Sequence, residues 1–235
     1  MELTLIPGFM VDETIWDEFI ACLPDNYATR HAAIAGGDTI AAIACHIGDN
    51  LPDDSVVVGF SLGGYIARQL AADYPQKVKA LVIIASSLRE DTDEMRAAKT
   101  GAVQTVSAST FKGFPEAILA GALHPSRSAD KPLLARLKAM GARLGYDALV
   151  TQCGFQRLAV PATTIRCPTL IVASTNDTQR LVEEADELAT AIPGAEIALF
   201  HNSGHMIPLE EPEKLAATVL DWLKKKRRKP KTSGF

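Results

Sequence analysis

Two alternating rhythms of apolar and polar residues run along this chain. Short apolar-rich stretches, Glu2 to Ile6, Ser55 to Phe60, Val78 to Ala85, Pro168 to Ala173 and Ala195 to Phe200, predict strands. Tyr27 to Ala33 reads as a weaker one. Between them, apolar residues recur at three- and four-residue spacing. Ile15, Trp16, Phe19, Ile20 and Leu23 mark a helix over 13–23; further helices are predicted near 40–47, 64–72, 180–191 and 212–223. Asp38 or Thr39 is placed to cap the second of these. Strands that are apolar throughout suit a sheet covered on both faces. Alternation with helices predicts an α/β fold, a mostly parallel, doubly wound sheet with right-handed crossovers.

The rhythm breaks once. From Ser86 to about Arg166 only helix patterns occur, near 92–106, 115–122, 131–144 and 146–158, punctuated by Gly113, Pro125 and Gly145. The organisation expected is therefore a core of residues 1–86 and 166–224, a helical cap over 87–165, and a basic flexible tail over 225–235. Inserted after the strand beside the central one, the cap would lie over the C-terminal edge of the sheet. Its apolar positions, among them Phe111, Phe114, Leu119 and Phe155, could line a pocket or form the cap's own core.

Composition adds limits. The 235 residues, 47% hydrophobic and 22% charged, suit one soluble domain with a modest insertion. No run approaches a membrane span, and Glu2, Pro7 and Gly8 spoil any signal-peptide pattern at the N-terminus. Four cysteines, Cys22, Cys45, Cys153 and Cys167, form no metal or redox spacing; Cys22 and Cys45 read as small core residues in a reduced, cytoplasmic setting. The net charge of −4 hides an asymmetry. Seven of the 24 basic residues lie at or beyond Lys224, leaving 17 against 28 acidic residues, a net of −11, in the body. So acidic a body is a poor partner for nucleic acid, and the tail reads first as a solvated extension.

The chemistry centres on Gly59-Phe60-Ser61-Leu62-Gly63, which ends one strand and opens a helix. In that context G-x-S-x-G is a nucleophile elbow, a strained turn in which glycines make room and the serine hydroxyl projects. A serine needs a base, itself oriented by a carboxylate. His205, in the loop Asn202 to Pro208 between the last strand and last helix, emerges at the edge to which the elbow points. His201 ends the same strand but lacks a neighbouring glycine to turn the chain back, and His31, His46 and His124 lie elsewhere. Asp177 follows Leu170-Ile171-Val172 and is the candidate acid, with helix capping near Arg180 as its other reading; Asp147 and Asp186 fall inside helix patterns. The order Ser61, Asp177, His205 is that of the α/β-hydrolases. The backbone amides of Leu62 and, after Pro7-Gly8, Phe9 are the candidate oxyanion donors. Phe9, Met10, Leu62, Met206 and Phe155 are the candidate substrate contacts.

Three stretches, Leu5-Ile6-Pro7-Gly8-Phe9 with Trp16, Gly59 to Gly64, and Gly204-His205-Met206 with Pro208 to Pro212, resemble the α/β-hydrolase superfamily. The likeness extends to Leu223 and is similar to the compact capped branch of pimeloyl-ester esterases, enol-lactonases and meta-cleavage-product hydrolases. Many relatives carry two further strands before the first one here, which implies a sheet of about six strands. Many also have histidine where Pro7 stands and glycine where Ser174 stands. The resemblance implies a cytoplasmic serine hydrolase of small esters or lactones, with no metal or organic cofactor, no membrane partner, and a homodimer as one possible state. It leaves C–C bond hydrolysis and acyl transfer open on the same residues, and a non-catalytic small-molecule receptor on the same scaffold.

Overall fold

The computed structural model describes residues 1–228 and folds them around a six-stranded, all-parallel sheet in the order β2-β1-β3-β4-β5-β6. The chain runs β1 (Glu2–Ile6), α1 (Asp17–Ala21), β2 (Ala28–His31), α2 (Ile40–Asp49), β3 (Ser55–Phe60), α3 (Leu62–Asp73) and β4 (Val78–Ile84). Then come α4 (Asp93–Gln104), α5 (Glu116–Ala120) and α6 (Lys131–Gly154), followed by β5 (Thr169–Ser174), α7 (Val182–Ala191), β6 (Glu196–Phe200), α8 (Ile207–Glu210) and α9 (Pro212–Arg228). A 3-10 turn, Glu13–Trp16, leads into α1, and Thr39 rather than Asp38 caps α2, its hydroxyl accepting the Ala42 N–H at 3.1 Å. The six strands and their parallel sense match the expected α/β fold.

The central strand shows why its sequence is apolar throughout. All six residues of β3 are buried, and alternate side chains face opposite layers. Val56, Val58 and Phe60 enter a layer with Trp16 and Phe19 on one side and Leu215, Val219 and Trp222 of α9 on the same face. Val57 enters the other, among Ile43 and Ile47 of α2 and Ile66 and Leu70 of α3. Leu134, Leu137 and Met140 of α6 join the first layer, so the inserted helices share the main core.

Among the described residues, every strand lies outside 87–165. Within that insertion α6 is one long helix broken at Gly145, whose φ of +79° and ψ of −176° turn the chain between two helical halves. Three sequence expectations need correction. The closing helix continues past Leu223 to Arg228, because lysine and arginine are good helix formers and Lys226 reaches back to Glu196 and over the Trp222 ring. Residues 229–235 of the expected tail lie outside the described residues. Cys45 is exposed on the outer face of α2, where a cysteine on a helix with one apolar stripe can point either way, while Cys22 packs partly against the core. Finally, the four residues of α8 form a helix too short for periodicity to reveal. No described helix is long and apolar enough to cross a membrane.

Candidate active site

In this topology the chain order reverses between β1 and β3, the place where open α/β sheets bind ligands beyond their strand C-termini. The loop after β1 and the turn after β3 meet there. Ser61 occupies that turn with φ +51° and ψ −111°, a conformation that costs a non-glycine residue roughly 1–3 kcal/mol. The surroundings hold it. Its N–H donates to the Ile84 carbonyl at 2.8 Å, and its own carbonyl accepts the Ser86 hydroxyl at 2.8 Å. Flanking glycines are obligatory on steric grounds: a Cβ on Gly59 would sit 2.3 Å from the Gly63 carbonyl oxygen, and one on Gly63 would sit 2.3 Å from that of Pro7.

Three side chains distant in sequence meet at this turn. Ser61 Oγ lies 2.9 Å from His205 Nε2, and His205 Nδ1 lies 2.7 Å from Asp177 Oδ2. All three residues are buried. Asp177 makes the contacts that both of its sequence readings require. Oδ1 accepts the Gln179 and Arg180 N–H groups at 2.7 and 3.0 Å, leaving Oδ2 for the imidazole. Ser174 donates its hydroxyl to the Ser203 carbonyl and so ties the end of β5 to the loop that carries His205. His201 is exposed beside Thr175, at 3.2 Å, and Asp147 and Asp186 are exposed on their helices.

Two groups that sequence reasoning missed fix the His205 loop. Glu210 Oε2 accepts the Gly204 N–H at 2.8 Å, and its Oε1 accepts the His124 N–H at 2.8 Å. The His205 N–H donates to the Ala122 carbonyl at 2.7 Å, so the segment after α5 grips the loop directly. Glu210 was visible only as part of a Pro-Leu-Glu-Glu-Pro string, and nothing in its spacing signals a carboxylate turned inward.

On α3 itself Arg68 is fully buried. Its guanidinium donates to the carbonyls of Ser87, Val160 and Pro161 at 3.1 to 3.3 Å. Burial away from any carboxylate pulls its pKa down to about 10. Asp12, in the segment after β1, has its pKa lowered. Burial pushes it up, but hydrogen bonds from Arg143 at 2.7 Å and from Thr14 outweigh that effect.

Ser61 and His205 open into a cavity of about 200 Å³ roofed by the insertion. Phe9, Met10 and Met206 line it, as the sequence suggested. Phe114 and Leu119, two of the insertion's apolar positions that could line a pocket, do line it, as do Ile118, Leu137 and the polar Gln179, which the sequence did not single out. Leu62 and Phe155 do not: both side chains are buried in the layer that holds α2 and α3. Leu62 faces the sheet because it begins the elbow helix, and Phe155 follows the end of α6 into the same layer; apolar character alone cannot separate cavity wall from core. The Phe9 and Leu62 N–H groups find no protein acceptor among the described residues. No cluster of three or more potential metal ligands occurs among the described residues.

Comparison with known proteins bears on the fold and the family. The pimeloyl-[acyl-carrier protein] methyl ester esterase of Aromatoleum aromaticum is 29% identical, with 94% of this chain and 97% of that protein covered. A thermophilic esterase from Thermogutta terrifontis superposes with a TM-score of 0.81 at 22% identity, over 96% of this chain and 90% of that one. An enol-lactonase from Burkholderia xenovorans gives 0.81 at 18% identity, over 95% and 91%. The model of the alpha/beta hydrolase family matches residues 5–218, and the chain belongs to that family.

Proposed function

We propose that the protein is a serine hydrolase that cleaves small carboxylic esters or lactones through an acyl-enzyme. Ser61 is the nucleophile. His205 accepts the hydroxyl proton on Nε2 as the oxygen attacks the carbonyl carbon, then delivers it to the departing alkoxide. With its other proton on Nδ1 and facing Asp177, the ring is held in the tautomer that leaves Nε2 free. Water then repeats the sequence on the acyl-enzyme, His205 again taking the proton, and releases the acid. The Phe9 and Leu62 amides stabilise the oxyanion. In support, the Leu62 N–H begins α3, where the helix dipole adds positive potential, and the neighbouring Met10 N–H is already engaged by Gln152 at 2.8 Å. Residues 87–165 act as a cap that excludes water from the cavity.

One observation carries this reading: the continuous hydrogen-bonded contact from Ser61 through His205 to Asp177, enclosed at the base of an apolar cavity. With no Lys, Arg, Asp or Glu among the lining residues, the cavity favours uncharged acyl groups. A methyl ester, as in the name of the Aromatoleum relative, belongs in the substrate panel beside lactones and p-nitrophenyl esters.

The test is Ser61→Ala. Turnover of p-nitrophenyl butyrate should fall by at least about 10³-fold while the folded state is retained, and a fluorophosphonate probe should label the wild type at Ser61 only. Saturable binding of small esters without turnover or labelling would instead mark a receptor on a hydrolase scaffold.

A further inference from the structure

Met10 stands in the loop after β1 at φ +52°, a left-handed conformation that disfavours a side chain. Such strain persists only where neighbours over-determine it. The neighbour is α6. The Met10 N–H donates to Gln152 Oε1 at 2.8 Å, a buried bond between residues 142 positions apart. Gln152 itself is 4% exposed. On the other side of the same residue, a Cβ built on Gly141 would lie 3.5 Å from the Met10 carbonyl oxygen, so the first half of α6 packs against the peptide that follows. The two halves of α6, set apart by the Gly145 turn, thus hold Met10 from both ends.

We propose that Gln152 is a positioning residue for the oxyanion hole, acting through Met10 on the adjacent Phe9 N–H. The inference rests on the reading of Ser61, His205 and the Phe9 and Leu62 amides given above. Gripping the Met10 N–H fixes the peptide plane between residues 9 and 10. It thereby limits rotation about the Phe9 backbone and keeps the Phe9 N–H aimed at the nucleophile. It also satisfies a neighbouring donor that would otherwise compete for the oxyanion or lie buried without a partner. Preorganised donors are worth most when they need not reorient during reaction, so a loosened plane should slow the chemical step and leave ground-state binding alone. The rest of the clamp, Arg143 on Asp12, lies on the first half of α6 and stays intact when Gln152 changes.

The experiment replaces the acceptor while keeping the size. Gln152→Met removes it, Gln152→Asn withdraws it by one methylene, and Gln152→Glu keeps an oxygen in place. With p-nitrophenyl butyrate, Met and Asn variants should each lose about tenfold or more in kcat with KM within about twofold, and Glu should recover most of that loss. Two removal variants guard against one failing to fold; unfolding midpoints measured alongside should not track kcat across the three. Unchanged kcat in either folded removal variant, a loss confined to KM, or a Glu variant as slow as Met overturns the role of Gln152. If the wild type itself shows no turnover that depends on Ser61, the proposed function fails first and this inference with it. Turnover lost in Ser61→Ala but intact in Gln152→Met sinks the inference alone.

Discussion

At the scale of single residues, Asp177 carries the sharpest division of labour. One carboxylate oxygen closes the turn after β5 on two backbone N–H groups, and the other meets the imidazole. Asp177→Asn should separate the two. Its carbonyl oxygen can remain on the turn amides, as asparagine does well at such positions, which leaves the amide NH₂ facing His205 Nδ1. Two donors then oppose each other, the ring must adopt the tautomer with its proton on Nε2, and the base is lost. The expected outcome is a kcat lower by about 10³- to 10⁴-fold with an unfolding midpoint within a few degrees of wild type. Asp177→Ala should lower both. If the Asn variant lost stability and activity in proportion, Asp177 would be a turn residue with no separate part in catalysis. The sequence offered these two readings as alternatives because a strand end followed by aspartate and a helix satisfies both; only the positions of Oδ1 and Oδ2 show that one side chain can do both.

Among the elements, α6 links the insertion to the loop after β1, and a charged pair contributes to the link. Arg143 on α6 holds Asp12 at 2.7 Å, while Arg136 on the same helix pairs with Glu18. Because the folded pKa of Asp12 lies below its unfolded value of about 3.9, the pair stabilises the folded state above that pH, and its contribution disappears as pH falls through the lower folded value. Asp12→Asn keeps the cap on the Thr14 N–H and removes the charge. Urea unfolding at pH 6 should find the variant less stable than wild type, and the gap should narrow once the pH falls below about 3.9. A gap that persisted unchanged at pH 3 would show that shape rather than charge holds the clamp. Little of this was legible beforehand. Gly145 announced a break, yet nothing set the arginines at 136 and 143 apart, since periodicity says which side of a helix is polar and not what that side touches. The same limit hid the continuation of α9: a run of lysine and arginine looks like a tail until Trp222 and Glu196 give Lys226 something to rest on.

For the molecule as a whole, alternating strands and helices were enough to infer the sheet, because continuous apolar runs such as Val56 to Val58 have few other ways to be buried. The same logic carried the meeting of Ser61, Asp177 and His205, since each ends or follows a strand whose C-terminus faces one edge. The cavity was a different matter. Its roof comes from Phe114 in the loop before α5, Ile118 on α5 and Leu137 on α6, whose approach to the sheet depends on the loops between them. Part of that roof, Leu137, also belongs to the core layer beneath, so it cannot retreat without opening the main core. A cavity of about 200 Å³ bounded in this way sits at the small end for ligand sites and should discriminate by length. Across p-nitrophenyl esters from acetyl to dodecanoyl, kcat/KM should peak at short acyl chains and fall at least about tenfold by dodecanoyl, because each methylene left outside the apolar cavity forfeits its burial. Leu137→Ala should move the optimum to longer chains while lowering the unfolding midpoint, since the same methyl groups serve both roof and core. A profile that stays flat to dodecanoyl in the wild type would mean that the roof swings aside as a unit, and that the inserted helices act as a moving lid rather than a fixed wall.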